Sequence, residues 1–153
     1  MQKLMRKWQQ STAIVLCALL VFMPGCASTG SKSLKIDTRQ IVGVQNMRSE
    51  ITFMLEDLGY EWQPVRDPVT GQPVKAADTL GQYRMQFRAA GKVTVQVDVH
   101  IRKDNRVTGL HFSEVGADQP GVVAMDYYRK LKEQAVQRFG ADNVSDKRSF
   151  MTP

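Results

Sequence analysis

Cysteine is almost missing from this chain of 153 residues: there are two, Cys17 and Cys26, alongside two histidines and two tryptophans. Cys17 lies inside an apolar N-terminal run. If that run is removed, Cys26 is the only thiol left and no intramolecular disulfide can form. Charge of one sign is also scarce. The formal net charge is +6, but Lys3, Arg6 and Lys7 stand at the extreme N-terminus. Without them 18 basic residues face 15 acidic ones, a net of +3. That balance argues against nucleic acid as a partner. The longest apolar stretch, Ala13 to Met23, falls short of the ~20 residues that span a bilayer, and Pro24-Gly25 ends it. No internal repeat, glycine-rich phosphate loop or metal-ligand spacing motif occurs, so no cofactor and no enzymatic activity are expected.

What is present begins at that N-terminus. A Lys/Arg-bearing start, an apolar run of signal length and small Gly25 directly before Cys26 form an export signal. Met23-Pro24-Gly25-Cys26 resembles the lipobox of bacterial lipoproteins, with Met23 where Leu is usual and Pro24 where Ala or Ser is usual. An ordinary cleaved signal and a retained anchor are the alternatives. The resemblance implies cleavage before Cys26 and lipid (palmitate among the acyl chains) on that residue. Ala27, in place of Asp, then favours the outer membrane, with the domain facing the periplasm. The expected organisation is a signal peptide over 1–25, lipidated Cys26 with a small polar tether over 26–36, and one domain over 37–153. The 128 residues left after cleavage suffice for a single core.

Within the domain, Met47, Ile51, Met54, Leu55 and Leu58 recur at helical spacing and predict a helix from about Asn46 to Leu58, with Asn46 as cap and Gly59 as terminator. Residues 36–43 read as a short strand or a helical lead-in. Tyr60 to Val65 reads as an edge strand because of Pro64, and 67–73 as a long loop or loose hairpin. From Gln82 to Glu114 apolar and polar residues alternate strictly, which predicts a meander with one buried face. An Ala89-Ala90-Gly91 loop, with Gly91 at positive φ, pairs Phe87 with Val93 and Met85 with Val95. A turn at Asp104-Asn105 pairs Val97 with Phe112 and Val99 with Leu110. A last helix is predicted from Pro120 to Phe139. The expected fold is α+β, a two-layer sandwich in which two helices cover one face of a three- to four-stranded antiparallel sheet, in the order α-β-β-β-β-α.

The polar residues of the meander are the candidate binding set: Arg84, Gln86, Arg88, Gln96, Asp98, His100, Arg102 and His111. Arginines and amides on one sheet face are a donor-rich surface for a protein or cell-wall partner. The pairing sets Asp98 opposite His111, with His100 alongside. A carboxylate beside imidazole can build a general base or a metal site, so a small hydrolase or metal-binding protein is a competing expectation. Outward polar residues on alternating strands also face one another without any function. Tyr60 and Trp62 are either partner anchors or the floor of the core. The leading expectation is a non-catalytic envelope-binding or assembly module held to the membrane by its lipid. An inhibitor or immunity-type lipoprotein working through loops 67–79 and 115–119 is the alternative.

Overall fold

The computed structural model describes residues 30–37, 44–79, 81–103 and 107–147. The expected signal peptide with Cys26, the expected turn at Asp104-Asn105 and the tail beyond 147 lie outside them. The described chain is an α+β fold. In sequence it runs β1 (Lys32–Asp37), α1 (Val44–Asp57), β2 (Glu61–Gln63), β3 (Val65–Arg66), β4 (Pro73–Val74), β5 (Ala77–Thr79), β6 (Gln82–Ala90), β7 (Thr94–Arg102), β8 (Val107–Glu114), α2 (Val122–Phe139) and β9 (Val144–Lys147). Seven strands form one antiparallel sheet, ordered β2-β6-β7-β8-β1-β9 with β5 also on β6, while β3 and β4 make a separate ribbon.

Period-two alternation explains the core. Met85, Phe87 and Ala89 of β6, Val95, Val97, Val99 and Ile101 of β7, Leu110 and Phe112 of β8, and Leu34 and Ile36 of β1 are all buried. They share one cluster with Met47, Ile51, Met54 and Leu55 of α1 and Ala124, Tyr128, Leu131, Ala135 and Phe139 of α2. Each fully buried Leu, Ile or Phe is worth roughly 1.5–3 kcal/mol of transfer free energy. The helices therefore exist because their stripes at i, i+3 and i+4 have this floor to cover, not through propensity alone.

The sheet is wider than the three or four strands expected. β1 begins at Lys32, inside the stretch assigned to the tether, and β9 comes from the tail. With two and one buried apolar residues respectively, neither is long enough to reveal a period; the neighbouring strand supplies the order. On the far side, β2 and β5 are one edge strand interrupted. Gln63 pairs with Gln86 and Ala77 with Arg84, so residues 64–76 stand where a single residue opposite Met85 would fit. Pro64, which cannot donate to a ladder, opens that excursion. The 67–73 stretch is the loose hairpin alternative, its turn fixed by Asp67 Oδ1 accepting the N–H groups of Val69 and Thr70 at 2.9 and 2.8 Å.

Other local expectations shift. The β7–β8 register is as predicted, with Val97 opposite Phe112 and Asp98 opposite His111. In the β6–β7 hairpin, however, Phe87 lies opposite Val97 and Met85 opposite Val99. That is four residues from the predicted pairing; an even slip keeps every side chain on its face, so alternation alone does not exclude it. Gly91 is not among the positive-φ glycines, whereas Gly59 is, at +80°. What Gly91 provides is room: a Cβ there would collide with the Tyr127 hydroxyl. Asn46 lies within the first turn of α1, which starts at Val44, and Pro120 precedes α2, whose cap is Gly121. The Gly121 N–H donates to Glu114 Oε2 at 2.7 Å, so a carboxylate stands at the positive end of α2.

Candidate functional site

The registers of β6, β7, β8 and β1 assemble the polar face in rows. Arg88, Gln96 and Ser113 stand side by side, then Gln86, Asp98, His111 and Ser33, then Arg84, His100, Gly109 and Lys35. Seven of the eight residues singled out from sequence thus fall in three adjacent rows. Arg102 sits one row further, opposite Gln82 at the exposed end of β7.

Hydrogen bonds organise these rows. Gln86 Nε2 donates to Asp98 Oδ1 at 2.8 Å, and Gln96 Nε2 donates to Asp98 Oδ2 at 3.0 Å. Arg88 Nη2 donates in turn to Gln96 Oε1 at 3.0 Å. The carboxylate thus takes one amide on each oxygen, and the guanidinium positions one of those amides. Such a chain holds its members in single rotamers and fixes which donors face outward. The sequence supplied the residues; only the even slip of the β6–β7 pairing placed Gln86, rather than another side chain, opposite Asp98.

A second cluster adjoins it. Ser33 Oγ and His111 Nδ1 share a hydrogen bond of 2.9 Å, and the rings of His100 and His111 meet edge to face with centroids 5.0 Å apart. Gly109 lies under this pair, and a Cβ there would stand 3.4 Å from His111 Nε2, in ordinary contact. Burial, then His111, then Arg84 push the His100 pKa below 6.5, with Asp98 opposing. Its surroundings therefore favour the uncharged ring. Ser33 and Gly109 were not singled out from sequence. Ser33 lies in a run of small polar residues that read as tether, and Gly109 carries no chemistry of its own.

This arrangement bears on the competing chemistry. Asp98 is committed to amides on both oxygens, and the hydroxyl paired with His111 belongs to a buried serine. Nucleophilic attack needs an accessible oxygen, which Ser33 does not present. Among the described residues no three His, Cys, Asp or Glu side chains converge as a metal site.

Tyr60 and Trp62 take up the core end of the two expectations. Tyr60 is buried, and burial, with Tyr127 adding to it, raises its hydroxyl pKa well above the usual phenol range. Trp62 packs against the core while its indole N–H donates to Lys75 O at 3.0 Å and Lys75 Nζ lies 5.4 Å from the ring centroid. Beside them a cavity of about 230 Å³ opens between α1 and the sheet edge, lined in part by Phe53, Trp62, Met85 and Phe87.

No protein-family model, no curated protein and no solved structure matches this chain.

Proposed function

We propose that this chain is a small lipoprotein of the bacterial outer membrane, anchored through Cys26, whose domain is a non-catalytic binding module for another envelope component. In this reading the two helices form one layer over the valine-rich face of the sheet. The opposite face remains open to a partner on the periplasmic side. The observation that carries the proposal is the Arg88–Gln96–Asp98–Gln86 chain of hydrogen bonds. It pre-orders polar side chains on a sheet surface, which lowers the entropy cost of docking against them. Exposed Arg84 beside it adds a positive charge, suited to a partner with carboxylates, either an acidic protein surface or cell-wall peptide.

The test is a photo-crosslinking amino acid at position 84 in intact cells. A discrete adduct of envelope origin is the expected result. Labelling only of lipid, or of nothing, while the protein stays abundant and folded, counts against the binding face. Fatty-acid labelling of the same cells tests the anchor, which should disappear in Cys26→Ser.

A further inference from the structure

Five large apolar side chains remain exposed among the described residues, and three gather at one end of the sheet: Val115 (46%), Val122 (90%) and Val123 (40%). Val115 follows β8 and its N–H donates to Thr94 O at 2.9 Å, at the start of β7. Val122 and Val123 open α2, tied to the same place by the bond from Gly121 to Glu114. The start of the described chain is also here. Gly30 N donates to Asp118 O at 2.6 Å, and a Cβ on Gly30 would press into the Gln119 side chain. The end of β8, the head of α2 and the point where the N-terminal segment joins the fold are one surface.

Distance sets what this surface meets. Four peptide steps separate Cys26 from Gly30, and a fully extended chain covers at most about 3.5 Å per step, or ~14 Å in all. A domain fixed to a bilayer by so short a link keeps Gly30, and the surface around it, within about 14 Å of the anchor point. Lys32 and Lys92 at this end are balanced by Glu114 and Asp118, so charge does not select the contact. Exposed valines do, because removing apolar surface from water is favourable without directional partners.

Resting on the lipid-anchor reading above, we infer that Val115, Val122 and Val123 form a membrane-contact patch. It seats the domain upright on the bilayer that holds its lipid, with the strands rising away from it. The occupant of the patch is the lipid surface itself. The polar face then stands roughly along the membrane normal, turned toward partners beside the protein.

The experiment uses the full chain purified from cells and reconstituted in phosphatidylethanolamine/phosphatidylglycerol vesicles carrying shallow-brominated acyl chains. Val122→Trp places an indole in the patch. Ala141→Trp, at an exposed position of the opposite end, serves as the comparison, and the parent protein gives the Trp62 background. Both replaced positions are exposed, so folding is preserved; near-ultraviolet circular dichroism verifies it. The expected result is that Val122→Trp loses most of its added emission to bromine while Ala141→Trp keeps it. Equal quenching of the two, or none at position 122, overturns the patch if the mass of the same sample shows lipid on Cys26. A mass showing unmodified Cys26 overturns the anchor reading, and the patch with it.

Discussion

Along β7, Val95, Val97, Val99 and Ile101 are sealed completely from solvent, whereas Gln96, Asp98 and His100 on the opposite side keep part of their surface in water. One face is filled by shape; the other is held by directed hydrogen bonds and a ring contact. The difference is one of degeneracy. Apolar residues satisfy each other in many packings, so that face fixes the fold without fixing a partner. Amides and guanidinium satisfy one another in few arrangements, so the polar face can specify what it meets. Stability is expected to reside mainly on the first side and recognition on the second.

The largest effect that would sharpen this contrast comes from the apolar side. Phe112→Ala empties the centre of the cluster, where Phe112 lies fully buried and packs against Tyr128 at a ring separation of 5.5 Å. Urea unfolding should show a loss of about 3–5 kcal/mol. Asp98→Ala strips the acceptor from two glutamine amides that remain partly solvated, so water replaces the lost bonds and the same assay should show about 1 kcal/mol. If Asp98→Ala cost as much as Phe112→Ala, the polar rows would be a second structural core and the division between the faces would break.

How much of this was legible in the sequence differs by element. The β6–β8 meander and both helices have many apolar residues at a fixed period, so their faces could be read. Register could not be read equally well. Between β7 and β8 the predicted pairing is the observed one, while between β6 and β7 a four-residue slip obeys the same alternation. The observed hairpin brings Gly91 against Tyr127, a contact between residues 36 apart in the chain that local alternation does not encode. β1 and β9 are legible only as alternatives, a short strand or helical lead-in from Ile36 and a last strand or loose end in the tail from Ala141, because KSLKID and VSDK contain too few apolar residues to signal a period; the start of β1 reads as tether. With β1 went Ser33, and with it the hydrogen bond that orients His111. Most residues of the candidate face were legible as types; their bonding was not, since it depends on four strands being aligned at once.

A smaller effect should appear on titration. His100 has a folded pKa below 6.5, chiefly because it is buried and beside His111 and Arg84. As pH falls, the unfolded chain therefore takes up the proton first. The associated stability is fully present above about pH 6.5 and declines below it until the folded pKa is reached. His100→Gln should flatten that part of the profile, with chemical denaturation between pH 7.5 and 5 as the measurement. An unchanged slope would mean that the ring is accommodated equally well in its charged form, and the histidine pair would lose its distinction from ordinary outward residues.

The smallest effect on stability should accompany the largest on binding. Arg84 is exposed and stands opposite His100 on one side and Ala77 on the other. Arg84→Glu reverses a charge at the surface and leaves the buried face untouched, so unfolding should move by no more than about 0.5 kcal/mol. Burial and His111 lower the His100 pKa most, and reversal at Arg84 removes the third contribution, so the His100 pKa should rise by NMR titration. A photo-crosslinker placed at neighbouring Gln86 in this variant should lose the adduct formed in the parent protein, because a carboxylate partner now meets repulsion. Retention of the adduct with the pKa change in place would show that the partner reads the amides and not the charge. A fall in stability like that of Phe112→Ala would show that the outward face is no freer to change than the buried one.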